Sequence, residues 1–590
     1  MNRGSRLLFA LLALTLVLIA AEPGHVPLFE PDEGRYAEIP REMLATSDFV
    51  TPRLNGVLYF EKPPLHYWSV AGSFAIFGLT EFAARVPTKL ASIGMVALAF
   101  FFARRRYGER VALLSALVVA SSVLVFALAR ITIIDPSLSF AMAAAAFAFA
   151  AFQEAEAAGE SRRARAALYG LHVSCAMAVL LKGLIGIVLP GGSIVVFILL
   201  TGRWRLLPKL FAPGPLLTFL VLTVPWHVLV ARRNPDFLRF YFVHEHFQRF
   251  ATKEHRREGS PLYFVGVLLA GFLPWTGFFG AFRHAWPGRT REAMRSRSSE
   301  TFLFVYAVLV FLFFSVSRSK LIPYLEPIWP ATAVLLAIGV ERARAAGSPF
   351  RVERRITALF FGALLAGAVV FAFGVGFADR FGISGPAGVV CAGLLAGFLA
   401  ALLPLRATER LWRSEPAVLV AAPWCLFLLG AFLAFGPAAR AITPWPLVES
   451  LHRALEPGDA LVQRRHYLEV VPFYARKTTP IYALGWSELD FGREHAPGPP
   501  YFPSEEEFSR LWNGPARVFV VAHRDALRDF RDPALGLSRP LVLGRDPVGK
   551  HFLLGNRAVG EEGPLSSFPK ADPRNRIGLA DPAGLAFKTP

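Results

Sequence analysis

This sequence predicts a polytopic α-helical membrane protein of about thirteen transmembrane helices, closed by a small C-terminal α/β domain. Three observations predict it. Hydrophobic residues make up 54% of the 590 and charged residues only 18%, with a mean hydropathy of +0.43. A soluble chain of this length needs several cores and many more charges. Apolar runs of roughly 16 to 23 residues recur along most of the chain, the length of a hydrocarbon core. After about Pro437 the composition turns polar.

Arg3 and Arg6 precede the apolar run 7–21 and place the N-terminus in the cytoplasm. Many spans follow, so this run is a retained anchor rather than a signal peptide. The polar stretch 23–83 then lies outside. Within it, 67–79 is apolar but too short to cross, and reads as an interfacial or re-entrant helix on the outer side. The span 84–103 delivers Arg104, Arg105, Arg106 and Arg110 to the cytoplasm. From there the runs alternate. Residues 111–129 go out and 137–152 return; 166–181 and 184–200, 210–230 and 262–282, 301–315 and 325–340, and 356–378 and 387–404 repeat the pattern. Residues 417–435 go out last. Each return ends in arginines, so every long basic loop falls on one side.

The C-terminal segment reads as strands at 460–463, 480–484, 517–522 and 551–554. Helices are expected at 445–455 and 504–512, the second opening on Ser504 with three glutamates in its first turn. The expected division is a transmembrane domain over 1–439, with the outer loop 23–83 inside it, and a periplasmic α/β domain over 440–590.

A net charge of +19 raises the question of nucleic acid, but the arginines sit in short loops between apolar runs, as cytoplasmic loops do. Cys175, Cys391 and Cys425 lie inside apolar runs and fit neither a metal motif nor a disulfide framework. No internal repeat is visible, which argues against an inverted-repeat transporter or flippase.

The charged or polar groups that stand out all fall in outer segments: Asp32, Glu33, Glu61, Lys62, Asp135, Lys182, His244, His246, Arg249, Lys320 and Tyr324. Charge held beside a bilayer marks function by default. One cavity holding acids and cations suits displacement of a phosphate-linked group. Fixed cations stabilise the departing phosphate, arginine through its fork and lysine as a point charge. A carboxylate takes or orients the acceptor's proton. Lys62, Arg249 and Lys320, with Tyr324 as a donor, are the phosphate candidates. Asp32 is the first candidate base, with Glu33 beside it; two adjacent carboxylates call for a partner cation or a raised pKa.

Each of these has a structural reading as well. Asp32-Glu33-Gly34 suits the cap of a helix over 35–43, and Asp135 before Pro136 suits an N-cap. Glu61 and Lys62 suit a surface ion pair, and Lys182 suits snorkelling. His244 and His246 are two residues apart and cannot share one helix face. A divalent metal ion, the one cofactor the pattern leaves open, would take one histidine together with Glu61 across space.

The run PDEGRYAEIPREM, followed by YFEKPPLHYW, IIDP, LLKG, HEHFQRF and SRSKLIPY, resembles the lipid A aminoarabinose transferase family, within the protein O-mannosyltransferase superfamily. The likeness covers roughly residues 1 to 440 by motif order and spacing. It implies a GT-C fold and a polyprenyl-phosphate sugar donor, usually undecaprenyl phosphate. It implies Asp32 as the catalytic aspartate and Asp135 as a second functional acid. Lys62, Arg249 and Tyr324 would lie near the donor phosphate, and Tyr36 and Tyr59 would line the cavity. Glu61 and His244 would form a pair able to bind a divalent ion. The expectation is an inner-membrane glycosyltransferase working at the periplasmic face on a lipid A-type or other glycolipid or glycan acceptor. Similar motifs serve other sugars, so transfer of a hexose or mannose to protein is the alternative. A non-catalytic assembly role leaves the Asp32–Lys62 loop unexplained.

Overall fold

The structure, a computed structural model, describes residues 3–241, 259–373, 407–485, 487–495 and 501–557. The chain divides into two compact units. One comprises Met1–Val26, Phe60–His66 and Thr88–Ala441; the other comprises Pro27–Tyr59, Tyr67–Pro87 and Ile442–Pro590.

The described residues hold eight helices long and apolar enough to cross a membrane. The count is nine if Tyr263–Gly271 and Trp275–Ala285, which meet at 104°, form one span. The chain is therefore multi-pass. Two expected spans take other forms, and two more run into or lie beyond the limits of the described residues. Residues 111–129 break at Ser122 into the helices Glu109–Ser121 and Val123–Leu128. Residues 184–200 form the 17-residue helix Ile185–Thr201. The run 356–378 starts inside Arg351–Phe373, and 387–404 lies outside the described residues.

The breaks are sealed by hydrogen bonds. Ser122 is extended, which opens the helix ladder. The Ser121 carbonyl accepts from Trp424 Nε1 at 2.7 Å, and its Oγ accepts from Trp275 Nε1 at 2.9 Å. Val123 N–H donates at 3.2 Å to Leu273 O, in the bend of the other interrupted pair. Lipid satisfies no backbone group, so a break persists only where protein supplies the partner. At Gly339 a Cβ would stand 2.2 Å from the Ala281 carbonyl oxygen, so only glycine lets the helix Trp329–Ala345 approach there.

The helix Ile134–Ala157 separates two chemistries. Glu154 near its end pairs with Arg106 at 2.5 Å, in the same region where Arg342 meets Glu300 at 2.8 Å. Arg110 likewise joins Glu341 at 3.0 Å and Glu415 at 2.6 Å. The basic loops thus gather around glutamates. Asp135 starts the same helix, roughly 28 Å away at 1.5 Å per residue, about one hydrocarbon thickness.

The second unit contains a hairpin, β1 (Arg53–Leu54) and β2 (Val57–Leu58), and a five-stranded sheet. Asn55 and Gly56 turn the hairpin with φ of 53° and 81°, the conformation that Asn-Gly favours. The sheet strands are β3 (Ala460–Arg464), β4 (Ile481–Tyr482), β5 (Val518–His523), β6 (Leu541–Arg545) and β7 (His551–Gly555), in the order β4-β3-β5-β7-β6. β3 runs parallel to β4 and β5, while β7 is antiparallel to both neighbours. Along β5, Val518, Val520 and Ala522 pack with Phe508 and Trp512; Phe519 and Val521 pack on the other face with Leu447 and Leu451. A strand buried on both faces reads as an unbroken apolar run. Ser504 and Glu507 close a capping box on the helix Glu505–Asn513.

A third core draws on distant sequence. Ala37, Val70, Phe74 and Ala84 pack with Val448, Val470 and Phe473. The expected division kept loop 23–83 with the membrane helices. In the structure most of that loop clusters with residues from 442 onward, because these apolar faces bury one another.

Candidate active site

The helix Asp32–Thr46 opens on two carboxylates, which favour its N-terminus through the helix dipole. Neither caps it: the N-cap is Pro31, with no side-chain cap bond. Successive residues on a helix point about 100° apart, and the two acids part company. Glu33 turns inward, and its side chain is 1% exposed. Both its oxygens accept from Arg85 at 2.8 Å, and Oε2 also accepts from the Phe29 N–H at 3.0 Å. This departs from the expectation of a second catalytic carboxylate: a buried, bidentate, fully bonded Glu33 anchors the helix.

Asp32 turns outward and its side chain is 60% exposed. Among the described residues its carboxylate meets the Arg35 guanidinium, at 3.4 Å. Arg35 also donates to Glu488 at 2.5 Å and lies 3.8 Å from Glu469. Tyr36 packs on Tyr67 at 6.0 Å between ring centroids, and the Tyr59 hydroxyl reaches Glu488 at 3.4 Å. Behind them, Glu30 accepts from the Val470 N–H at 2.7 Å and is hydrogen-bonded to Glu469. Burial pushes the carboxyls of Glu30, Glu42 and Glu469 above the usual carboxylate range.

The remaining candidates belong to the first unit. Lys62 Nζ donates to the Glu61 carbonyl at 2.8 Å and lies 3.8 Å from its carboxylate. Asp135 is not an N-cap, since Ile133 holds that position. It accepts from Lys182 at 2.5 Å, so Lys182 is paired rather than snorkelling. Lys182 Nζ also stands 4.7 Å from the Tyr324 ring centroid. Nearby, Glu326 is buried and accepts from Ser139 at 3.1 Å. His66, buried 3.5 Å from Thr132, is held down to about 4 by desolvation, which the Asp135 charge opposes.

Lys320 departs from expectation. It is 7% exposed, and its Nζ donates to the carbonyls of Phe314 at 3.0 Å and Ser315 at 2.6 Å. A lysine so engaged caps the end of the helix Ser298–Val316 rather than meeting a phosphate. Arg249 and His244 lie outside the described residues. Among the described residues no group of three His, Cys, Asp or Glu side chains suits a metal ion. Glu61, already beside an ammonium, is a single carboxylate and does not make a metal site without further ligands.

Sequence reasoning missed Arg35, Arg85, Glu326, Glu469 and Glu488. Arg35 sits three residues after Asp32, a spacing that meets on a helix. Glu326 is an acid inside an apolar run. Nothing local points to Glu488, which comes to Arg35 from 453 residues away.

A family model of dolichyl-phosphate-mannose-protein mannosyltransferases matches residues 6–241. The undecaprenyl phosphate-α-4-amino-4-deoxy-L-arabinose arabinosyl transferase of Edwardsiella ictaluri is 34% identical over 421 residues, covering 69% of this chain and 74% of that protein. The chain belongs to this arabinosyl transferase family. The corresponding transferase of Aeromonas hydrophila is 33% identical over 420 residues, covering 68% and 73%. The crystal structure of ArnT from Cupriavidus metallidurans bound to undecaprenyl phosphate superposes with a TM-score of 0.77 at 28% identity, covering 94% of this chain and 99% of that one. As a member of the arabinosyl transferase family, the chain is a membrane-embedded glycosyltransferase with the GT-C fold. The mannosyltransferase match ends at residue 241, whereas the similarity to ArnT runs through both compact units.

Proposed function

We propose that this enzyme moves 4-amino-4-deoxy-L-arabinose from undecaprenyl phosphate to lipid A at the periplasmic face of the inner membrane. Its N-terminus lies in the cytoplasm and its C-terminal residues in the periplasm, as the arginine-rich loops favour. The observation that carries the reading is Asp32: an exposed carboxylate, within the stretch that resembles the family, on a helix whose neighbouring acid is locked into a buried ion pair. The acceptor oxygen attacks the anomeric carbon, the carbon–phosphate oxygen bond breaks, and Asp32 takes or orients the acceptor's proton. Lys62 and Arg249, with the Tyr324 hydroxyl, hold the charge that develops on the leaving phosphate. The Asp135–Lys182 pair orients Tyr324 from beneath its ring. One displacement with no enzyme nucleophile inverts the sugar carbon.

Mass spectrometry of lipid A from cells with and without the protein tests the assignment. The expected result is a gain of one aminoarabinose. A gain of a hexose, or a new mass on protein instead, overturns the substrate. Retention at the product anomer overturns the single displacement.

A further inference from the structure

Arg35 stands between two carboxylates of opposite origin. Its Nη1 is 3.4 Å from Asp32, on its own helix, and its Nη2 is 2.5 Å from Glu488, in the C-terminal part of the chain. The tighter grip belongs to Glu488. That residue is firmly mounted. Leu489 beside it is fully buried, Ser487 N–H donates to Asp490 at 3.1 Å, and the helix Asp490–Glu494 packs so closely on β2 that a Cβ at Gly492 would meet the Leu58 carbonyl at 2.6 Å.

Other titratable groups also face Arg35. Glu469, 3.8 Å away at the head of the helix Val470–Ala475, is hydrogen-bonded to both Glu30 and Glu488. Carboxyls that bond one another share protons. Burial raises both Glu469 and Glu30. Tyr59, whose ring lies 5.9 Å from the guanidinium, offers a hydroxyl to Glu488. Tyr467, Glu38 and Glu42 crowd behind Glu469 and Glu30, with Arg41 bonded to Glu38 at 2.6 Å. Glu488 and Asp32 both accept from this one guanidinium, Glu488 at the shorter distance.

We propose that Glu488 is a positioning residue for transfer: it draws the Arg35 guanidinium toward the C-terminal domain, so the cation does not close on Asp32, and Asp32 keeps the basicity its reaction needs. This rests on the reading of Asp32 as the base. It gives the C-terminal domain a part in the chemistry through one side chain. Without Glu488, Arg35 swings onto Asp32 and the carboxylate becomes a weaker base.

The experiment is a rate-against-pH series on the full-length enzyme in detergent, with undecaprenyl-phosphate aminoarabinose and lipid A, for wild type, Glu488→Gln, Glu488→Asp and Asp32→Asn. For Glu488→Gln the acid limb of the profile moves down by about one pH unit, and the plateau kcat falls about tenfold with KM within about twofold. Glu488→Asp restores part of both. A rate that falls with an unmoved acid limb, or a rate that does not change, overturns the proposal. Should Glu488→Gln fail to fold by thermal unfolding, Glu488→Asp decides alone through a smaller shift in the same direction; an unmoved limb there overturns it too. If Asp32→Asn remains active, the base assignment itself fails. If Asp32→Asn is dead and the Glu488 profiles do not move, only the positioning role fails.

Discussion

Two neighbouring carboxylates, each changed by one atom group, should fail in opposite ways. Glu33→Gln removes one charge from a buried pair and leaves the Arg85 guanidinium, 1% exposed, facing a neutral amide. Breaking a buried pair on one side costs about 3–5 kcal/mol, because the remaining charge stays desolvated. At about 2–4 °C per kcal/mol for a unit of this size, the thermal midpoint falls by order 10 °C. Asp32→Asn acts on a carboxylate that is 60% exposed, with one ion pair at 3.4 Å. Exposed pairs contribute about 0–1 kcal/mol, so its midpoint should stay within about 4 °C. Its transfer rate should drop by about 10²–10⁴, the usual weight of a positioned general base. The assay pairs intrinsic-fluorescence unfolding with a mass-shift transfer assay on the same purified preparations. A double variant, Glu33→Leu with Arg85→Met, tests the cause: replacing both charges with apolar groups should recover much of the lost stability. A Glu33→Gln protein as stable as wild type, or an Asp32→Asn protein as active, refutes the division of labour between them.

The carboxyls of Glu30, Glu42 and Glu469 lie above their ordinary 4.5 in the folded chain, so they stabilise it fully below that value and the contribution is lost as pH rises through their folded pKa values. Unfolding midpoints of wild type should therefore decline from pH 5 to 8 more steeply than those of Glu469→Gln; parallel curves would remove the linkage. Gly34→Ala puts a Cβ 2.7 Å from Val470 N and 2.8 Å from Glu469 Cβ, forcing the Asp32 helix off its seat. The expected loss is about 1–3 kcal/mol in unfolding measurements, together with lower kcat. Lys182→Met breaks the 2.5 Å pair with Asp135 and removes the cation under Tyr324, and should cut transfer by about tenfold or more. Lys320→Met, by contrast, should leave KM for the lipid donor within about twofold, since its ammonium is bonded to helix carbonyls; a large KM rise would return it to the phosphate site.

Much of the architecture was legible because the forces involved are local or set by the bilayer. Apolar length marks spans, and arginine counts order the loops. Asn55-Gly56 announces its turn, and Ser504 with Glu507 announces its helix start. β6 was not visible, being an exposed edge with Gly544 at an irregular register. The break at Ser122 was not visible either, since it survives through Trp424 and Trp275 from far along the chain. The arginine loops meet glutamates whose positions no local pattern encodes.

At the candidate site the boundary falls between residue type and residue direction. Sequence alone determined that acids, lysines and tyrosines would sit beside membrane spans, because unpaired charge in hydrocarbon is too costly to be accidental. It could not say which of Asp32 and Glu33 faces outward, that Lys320 binds carbonyls, or that Arg35 is divided between Asp32 and Glu488. Those are outcomes of packing. A side chain's partner depends on which distant surface is buried against its helix, and only the folded chain brings residues hundreds of positions apart within a hydrogen bond.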